Sequence, residues 1–418
     1  MLPELDRLAA QTAVSRDRYA DFLRATSITM VVLGHWLIQV VWWQNGLIYT
    51  TGAIGITPGL WLATWVFQVM PVFFFVGGFS NLVALDSFRR RGTSTWAFVR
   101  SRIERLLRPS LIFLGVWTVV QVVLHVLDVG RPTGIRLWDG TRLLRGMNPP
   151  AATLPFGPLW FLLVYLVVVA ISPATIALHR RFRWWVPALL AAGTVAADVV
   201  GFGFGVTDAR YLNIAFVLLF PHQLGHFYAD GTLQRLPRWV FWTAALGGLS
   251  LLLILTNPPL FELLGGNARF RWFPGIGYYP KSLIGTEAER ISNAYPPTLC
   301  YLAVGIIWIG GVLLLRDRLT RWLNRDRPWK AVIFANGIVM SLFLWHMTAY
   351  LLAILLLWPL GFGHEHQSTV RFWLERPLWI AVAGLILAAI VAVVRRFERP
   401  AASRPLGAPV SFEAPGKR

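Results

Sequence analysis

Charge is what this sequence has least of: 14% of its 418 residues are Asp, Glu, Lys or Arg, where a soluble domain carries about 25%. That deficit leaves too few polar groups to cover a water-facing surface. Cysteine is nearly missing as well. Cys300 stands alone, which excludes an intramolecular disulfide framework and suits a small buried core residue. There is no glycine-rich phosphate loop of the P-loop kind, which argues against an ATP-driven pump. No internal repeat recurs at a fixed period. Acidic residues number 20 against 39 basic ones, giving a formal net charge of +19.

What the chain has in plenty is apolar length. Hydrophobic residues make up 56% of it and the mean hydropathy is +0.56. A spanning helix needs roughly 20 mainly apolar residues to cross the hydrocarbon core. Ten such runs occur, near 22–43, 59–84, 109–129, 158–178, 184–200, 211–229, 239–257, 296–315, 332–358 and 378–395. The run 184–200 is the shortest and contains Asp198. The expected fold is therefore all-α, a polytopic integral membrane protein built as a bundle of about ten transmembrane helices.

The excess of basic residues does not call for nucleic acid, because cytoplasmic loops of membrane proteins collect Arg and Lys. With a cytoplasmic N-terminus and ten spans, 28 of the 39 basic residues fall on the inner side and 11 on the outer. The asymmetry predicts a multi-pass protein of the inner (plasma) membrane with both termini in the cytoplasm. The outer segment 130–157 still carries Arg131, Arg136, Arg142 and Arg145, enough to attract an anionic acceptor. Trp42, Trp43, Trp61, Trp184, Trp185, Trp239 and Trp358 fall near the ends of runs, where indole rings favour the interface. Residues 1–20 are polar, and the first apolar run lacks a small-residue cleavage site, so the first helix is expected to stay in place.

Residues 1–399 read as one transmembrane domain, followed by a Pro-, Ala- and Gly-rich tail at 400–418 expected to be disordered and cytoplasmic. The outer segment 258–295 mixes prolines and aromatics with Glu262, Arg269, Arg271, Lys281, Glu287, Glu289 and Arg290, a composition suited to an ordered polar cap.

Ionisable groups inside hydrocarbon are expensive and mark function, and the first helix carries the most informative set. Asp21 and Arg24 lie at its mouth and His35 near its middle. Eleven helical steps leave an angular offset of about 20° and a rise of about 16.5 Å, so Arg24 and His35 face one way, with Asp21 one turn back to hold the guanidinium. Spacing alone is thin support, since 36 Arg and 8 His give about 0.7 chance pairs at any one separation. An arginine snorkelling to the headgroups and a histidine bonded to a neighbouring helix give the same pattern. A second basic set, Arg100, Arg102, Arg105 and Arg108, leads into the third run. It reads either as ordinary positive-inside topology or as an anion site, because Arg matches phosphate oxygens with two bonds at once and a helix N-terminus adds partial positive charge.

Other histidines weigh less. His222 and His226 are four apart, but Gln223 stands where a zinc-protease helix needs its carboxylate, and no metal is expected. His346 lies in the middle of the ninth run and could face His35 across the bundle, although a satisfied core histidine is the commoner case. His125, one turn after Gln121, suits packing or hydrogen bonding, and His364 and His366 belong to an outer loop.

Five segments together resemble the acyltransferase type 3 family of bacterial membrane enzymes. Asp21-Phe22-Leu23-Arg24, with His35 beyond it, is similar to the family's first-helix signature. Phe73-Phe74-Phe75-Val76-Gly77-Gly78-Phe79 is similar to its second-helix motif, with Gly77 where a serine is expected. Arg102 and Arg105, spaced Arg-x-x-Arg, resemble its third-helix basic motif. Leu159-Trp160-Phe161-Leu162 and Leu344-Trp345-His346-Met347 resemble its fourth helix and its late histidine-bearing helix. The resemblance runs from about residue 17 to 395.

The resemblance implies transfer of an acyl group, commonly acetyl, from cytosolic acetyl-CoA or another acyl-CoA to a carbohydrate, lipid-linked or other acceptor in or beyond the membrane. In that setting His35 is the expected general base or transient acyl carrier, since neutral histidine is suited to take a hydroxyl proton near pH 7. Arg24 is expected to orient the donor, and Arg100, Arg102 and Arg105 to hold its phosphates. Asp21, His346 and Trp160 are further candidates. The rival expectation is a proton-coupled secondary transporter or exporter in which Arg24, His35 and His346 form a proton relay; no pair of interrupted helices in matching halves supports it.

Overall fold

The computed structural model describes residues 16–44, 47–126, 156–257, 278–286, 291–365 and 367–398. The arginines expected at 131–145, Glu262, Arg269, Arg271, Glu287, Glu289, Arg290, His366 and the tail 400–418 lie outside the described residues, as does the side chain of His125. Among the described residues, eleven α-helices of seven residues or more carry the chain: α1 Arg18–Ile38, α2 Trp61–Phe67, α3 Met70–Arg90, α4 Thr95–Val126, α5 Leu159–Phe182, α6 Trp185–Asp198, α7 Asn213–Ala229, α8 Arg238–Thr256, α9 Leu299–Leu323, α10 Asp326–Leu357 and α11 Val370–Glu398. All-α describes the architecture, and a helix lies under each expected run.

Among the described residues, seven segments are long and apolar enough to cross a membrane: Trp61–Arg90, Leu159–Phe182, Trp185–Gly203, Arg238–Thr256, Leu299–Leu323, Asp326–Leu360 and Val370–Phe397. The helices outside that set are α1, which carries Asp21, Arg24 and His35; α4, some of whose last side chains lie outside the described residues; and α7, only 17 residues long. Leu385, Leu374 and Trp185 are among the most exposed side chains, as apolar groups are where lipid replaces water. Trp184, Trp185 and Trp239 are exposed at the starts of α6 and α8, the interfacial positions expected of them. Cys300 is buried.

The first helix is shorter than the apolar run that contains it. It stops at Ile38, and Gln39–Gln44 pairs antiparallel with Leu47–Gly52, Gln39 opposite Gly52 and Gln44 opposite Leu47. A β-branched and aromatic stretch, Val40-Val41-Trp42-Trp43, prefers extended backbone. At the other end of the chain α11 begins at Val370 rather than near 378, with Pro377 inside it, which draws Glu375 and Arg376 into the helix and buries both.

Two helix crossings depend on missing side chains. A Cβ at Gly78 of α3 would stand 1.9 Å from the His222 carbonyl oxygen of α7, and one at Gly225 2.0 Å from the Phe75 oxygen. A Cβ at Gly248 of α8 would stand 2.9 Å from the Ala303 oxygen of α9, and one at Gly310 of α9 2.8 Å from the Phe241 oxygen of α8. Lipid gives helices no hydrophobic reason to associate, so close backbone packing through small residues takes that place.

Asp198, the acidic residue of the shortest run, sits at the end of α6 with its carboxylate fully employed. It accepts from Asn213 Nδ2 (2.8 Å), the Tyr279 hydroxyl (2.8 Å) and the Leu299 backbone N–H (2.9 Å). One buried carboxylate thus ties α6, α7, the segment before α9 and the positive end of α9 together. Asp198→Ala strands those donors, each unmet one costing about 1–3 kcal/mol. The variant is expected to melt well below the parent in detergent, and an unchanged melting temperature would remove the knot from the account of stability.

Candidate active site

Helices α1 and α10 run side by side in the same direction, pinned at two levels. At the lower level Asn336 Nδ2 donates to the Asp21 backbone oxygen (2.9 Å). At the upper level the rings of His35 and His346 meet, and Trp36 Nε1–H donates to the His346 carbonyl (3.0 Å). The side chains that the first-helix signature brings forward occupy these two levels.

At the lower level Asp21 is buried and accepts from Arg16 and from Arg24 Nη1 (3.2 Å). Arg24 Nη2 also donates to the Ser80 hydroxyl (2.6 Å), and Arg102 Nη2 donates to the Ser80 backbone oxygen (2.7 Å). Ser80 of α3 therefore joins two arginines that are 78 positions apart in sequence. Gly77, one turn earlier, faces Tyr165 of α5: the nearest Tyr165 atoms lie 3.1 and 3.3 Å from where its Cβ would stand. A serine at 77 would press on that ring, so glycine here makes room for Tyr165.

Around these groups opens a cavity of about 1300 Å³. Its basic half is lined by Arg24, Arg102, Arg105, Arg108 and Arg395, with Glu104 the single acidic residue on the wall among the described residues. Its other half is apolar, with Ile28, Phe73, Phe161, Leu162 and Phe343. Such a gradient suits a long amphipathic anion, its charged end among guanidiniums and its arm in the apolar neck.

The cavity stops at an aromatic layer. Phe73 meets Phe161 edge-on with centroids 5.1 Å apart, and Phe161 meets Phe343 edge-on at 5.6 Å. Phe343 lies 6.2 Å from the His346 ring, so the histidine pair stands immediately behind the layer and not on the cavity wall. His35 Nδ1 and His346 Nε2 are 2.9 Å apart, with ring centroids 5.1 Å apart and planes 14° from parallel, so the rings meet edge to edge and nearly coplanar. His346 is fully buried; His35 is half-buried.

Arg24, Arg102 and Arg105 thus come together on one wall, and His35 and His346 come together one layer beyond. Arg100 does not join them. It is exposed and ion-paired one turn on with Glu104 through its Nε (2.6 Å), and it lies just before the stretch of α4, Ser101 to Ile112, from which the cavity wall is drawn. Trp160 lies away from the cavity, in a small groove with Val164, Ile214 and Leu218, although its neighbour Phe161 is on the wall.

Sequence reading missed Ser80, Tyr165, Arg395 and Arg376. Arg376 is buried, donating through Nη1 to the carbonyls of Gln39 (2.9 Å) and Trp36 (3.4 Å), with the Tyr350 hydroxyl at 3.3 Å. It also lies over the Phe372 ring at 3.9 Å. A cation at the carbonyl end of α1 complements that helix's dipole and fixes the end that carries His35. The signal for it was the charge in Glu375-Arg376-Pro377, beside an apolar run.

His222 and His226 are buried, and His226 belongs to a polar chain. His226 Nδ1–H donates to Gln223 Oε1 (3.1 Å), Gln223 Nε2 to His179 Nδ1 (2.9 Å), and His179 Nε2–H to Asp230 Oδ2 (3.0 Å). Burial works to raise the Asp230 carboxyl, but bonds from Thr232, His179 and Arg183 outweigh it and hold the group below its ordinary value. Gln223, at the place a zinc-protease helix gives to a carboxylate, is thus the link between two imidazoles.

Set against known families, residues 17–395 match a family model described as an acyltransferase domain. No curated protein and no solved structure matches the chain.

Proposed function

The chain belongs to the acyltransferase type 3 family, and from that premise of a membrane acyltransferase we propose that it moves an acyl group, commonly acetyl, from a coenzyme A thioester to an acceptor hydroxyl. The observation that carries this reading is the cavity whose wall changes from five arginines to aromatic rings, with the histidine pair one layer behind Phe343.

The basic end is the proposed cytosolic mouth, in keeping with the distribution of Lys and Arg along the chain. There Arg102 and Arg105 hold the donor's phosphates, and Arg24, kept in place by Asp21 and Ser80, orients the thioester arm. The arm runs toward Phe73, Phe161 and Phe343. The acceptor, a carbohydrate or lipid-linked hydroxyl compound, approaches His35 from the hairpin side. His35 takes the hydroxyl proton as the oxygen attacks the thioester carbonyl; the carbon–sulfur bond breaks, and the proton passes to the departing thiolate. The products are an ester and free coenzyme A, and the proton count closes.

The test is incubation of the detergent-solubilised full chain, with membrane extract as acceptor source, with acetyl-labelled acetyl-CoA. Release of free coenzyme A together with label in extracted lipid or glycan is expected. Intact acetyl-CoA and no labelled product, alongside proton-driven solute movement in proteoliposomes, overturns the reading in favour of a transporter.

A further inference from the structure

His346 touches no cavity and is far from the basic mouth, yet its hydrogen bonds determine which nitrogen of His35 is free. Its Nδ1 lies 2.7 Å from the Phe343 carbonyl oxygen. A carbonyl can only accept, so Nδ1 carries the proton of the neutral ring, and a neutral imidazole has one N–H. The Nε2 of His346 is therefore a lone pair. His35 Nδ1, 2.9 Å away, must supply the proton of that contact. The N–H of His35 is used inward, and its own lone pair falls on Nε2, which has no hydrogen-bond partner among the described residues.

We infer that His346 is a positioning residue that holds His35 as the Nδ1–H tautomer, leaving Nε2 as the nitrogen that takes the acceptor's proton. The inference rests on the acyltransferase reading of the site. The arrangement is reciprocal: α10 offers a ring nitrogen to His35, and α1 returns the Trp36 N–H to the His346 carbonyl at 3.0 Å, so neither ring can rotate or slide alone. When His35 becomes protonated at Nε2, its Nδ1–H still points at a lone pair. The imidazolium keeps its hydrogen bond, which is the role an orienting partner plays behind a histidine base.

Two substitutions separate this role from packing. His346→Gln places an amide oxygen near the site of Nε2 and can accept from His35; His346→Leu fills the volume and accepts nothing. With the full chain in detergent, the Leu variant is expected to lose about 100-fold in kcat, a loss of the size misorientation produces. The Gln variant is expected to stay within about tenfold of the parent, and KM for acetyl-CoA to be unchanged in both. Equal losses in the two variants, or full activity in the Leu variant, overturn the inference. A readout independent of turnover uses the wild-type chain with ring-15N histidine, the His35 signals being those missing from a His35→Gln sample. A protonated Nδ1 and a bare Nε2 on His35 support the assignment, and the opposite tautomer ends it. Failure of the acyltransferase reading shows instead as a wild-type chain that transfers nothing, whatever its tautomer.

Discussion

Replacing His35 by alanine is expected to lower acyl transfer by about 10²–10⁴-fold, the contribution of a well-placed general base, while leaving the donor's affinity where it was. The second half of that expectation comes from the structure. His35 is not on the cavity wall; the donor's binding groups are on the basic side of the Phe73, Phe161 and Phe343 layer. A loss in kcat without a change in donor binding is what removal of a group acting only in the transition state produces. The fold has reason to survive. Trp36 still donates to the His346 carbonyl, and Arg376 still holds the carbonyls of Trp36 and Gln39, so the end of α1 keeps its anchors. The local cost is one buried His346 nitrogen left without a donor, about 1–3 kcal/mol. Melting temperature and yield of the purified variant check this, and transfer at the wild-type rate would falsify the assignment of His35 as base.

Arg105→Ala is expected to have the complementary effect, weaker donor binding with chemistry little changed. Arg105 is exposed on the cavity wall. A charge-assisted hydrogen bond to phosphate contributes about 1.5–3 kcal/mol, so the dissociation constant for coenzyme A should rise about tenfold or somewhat more. The loss should shrink at high salt, since screening weakens the interaction in the parent too. Arg100→Ala is the control. Its side chain points into solvent against Glu104, and an exposed pair of this kind is worth little. Donor affinity should therefore separate two arginines that the sequence places five residues apart. Equal weakening by both variants points to a diffuse surface field and removes the phosphate site from the wall; no weakening by Arg105→Ala does so directly.

The two arginines show how much of the site is legible along the chain. The basic run before the third apolar segment was visible as a run, and so was its candidacy for anions. Which members face inward depends on the helix phase relative to α3, and that is set by contacts such as Arg102 with the Ser80 carbonyl. Asp21 beside Arg24 is a spacing of one helical turn and could be read directly. Ser80 could not, because it becomes part of the site only when α3 packs beside α1.

The first helix shows the same division within a single element. Its apolar character is plain in the sequence, but a search for apolar runs reads Val40-Val41-Trp42-Trp43 as the last turn of a span. The same residues, followed by Asn45-Gly46, are also the signature of a short hairpin, and strand pairing with Leu47–Gly52 decides between the two. Charge placement bears on the spans too. Asp21 and Arg24, which α1 carries for the site, lower the apolarity by which a span is recognised.

By itself the sequence determined that this chain is helical and membrane-bound, and it put Arg24 and His35 on one face of one helix. Each of those properties is carried by residues within a few turns of one another, through hydropathy and the 3.6-residue period. The tertiary structure alone decided that His35 and His346, 311 positions apart, share a hydrogen bond, and that Arg395 joins Arg24 on the cavity wall. It also decided that Arg376 holds the end of the first helix. Those pairings depend on the register and rotation of packed helices, which no local window contains, and the glycine contacts at Gly78 and Gly225 that bring α3 and α7 together help to fix them.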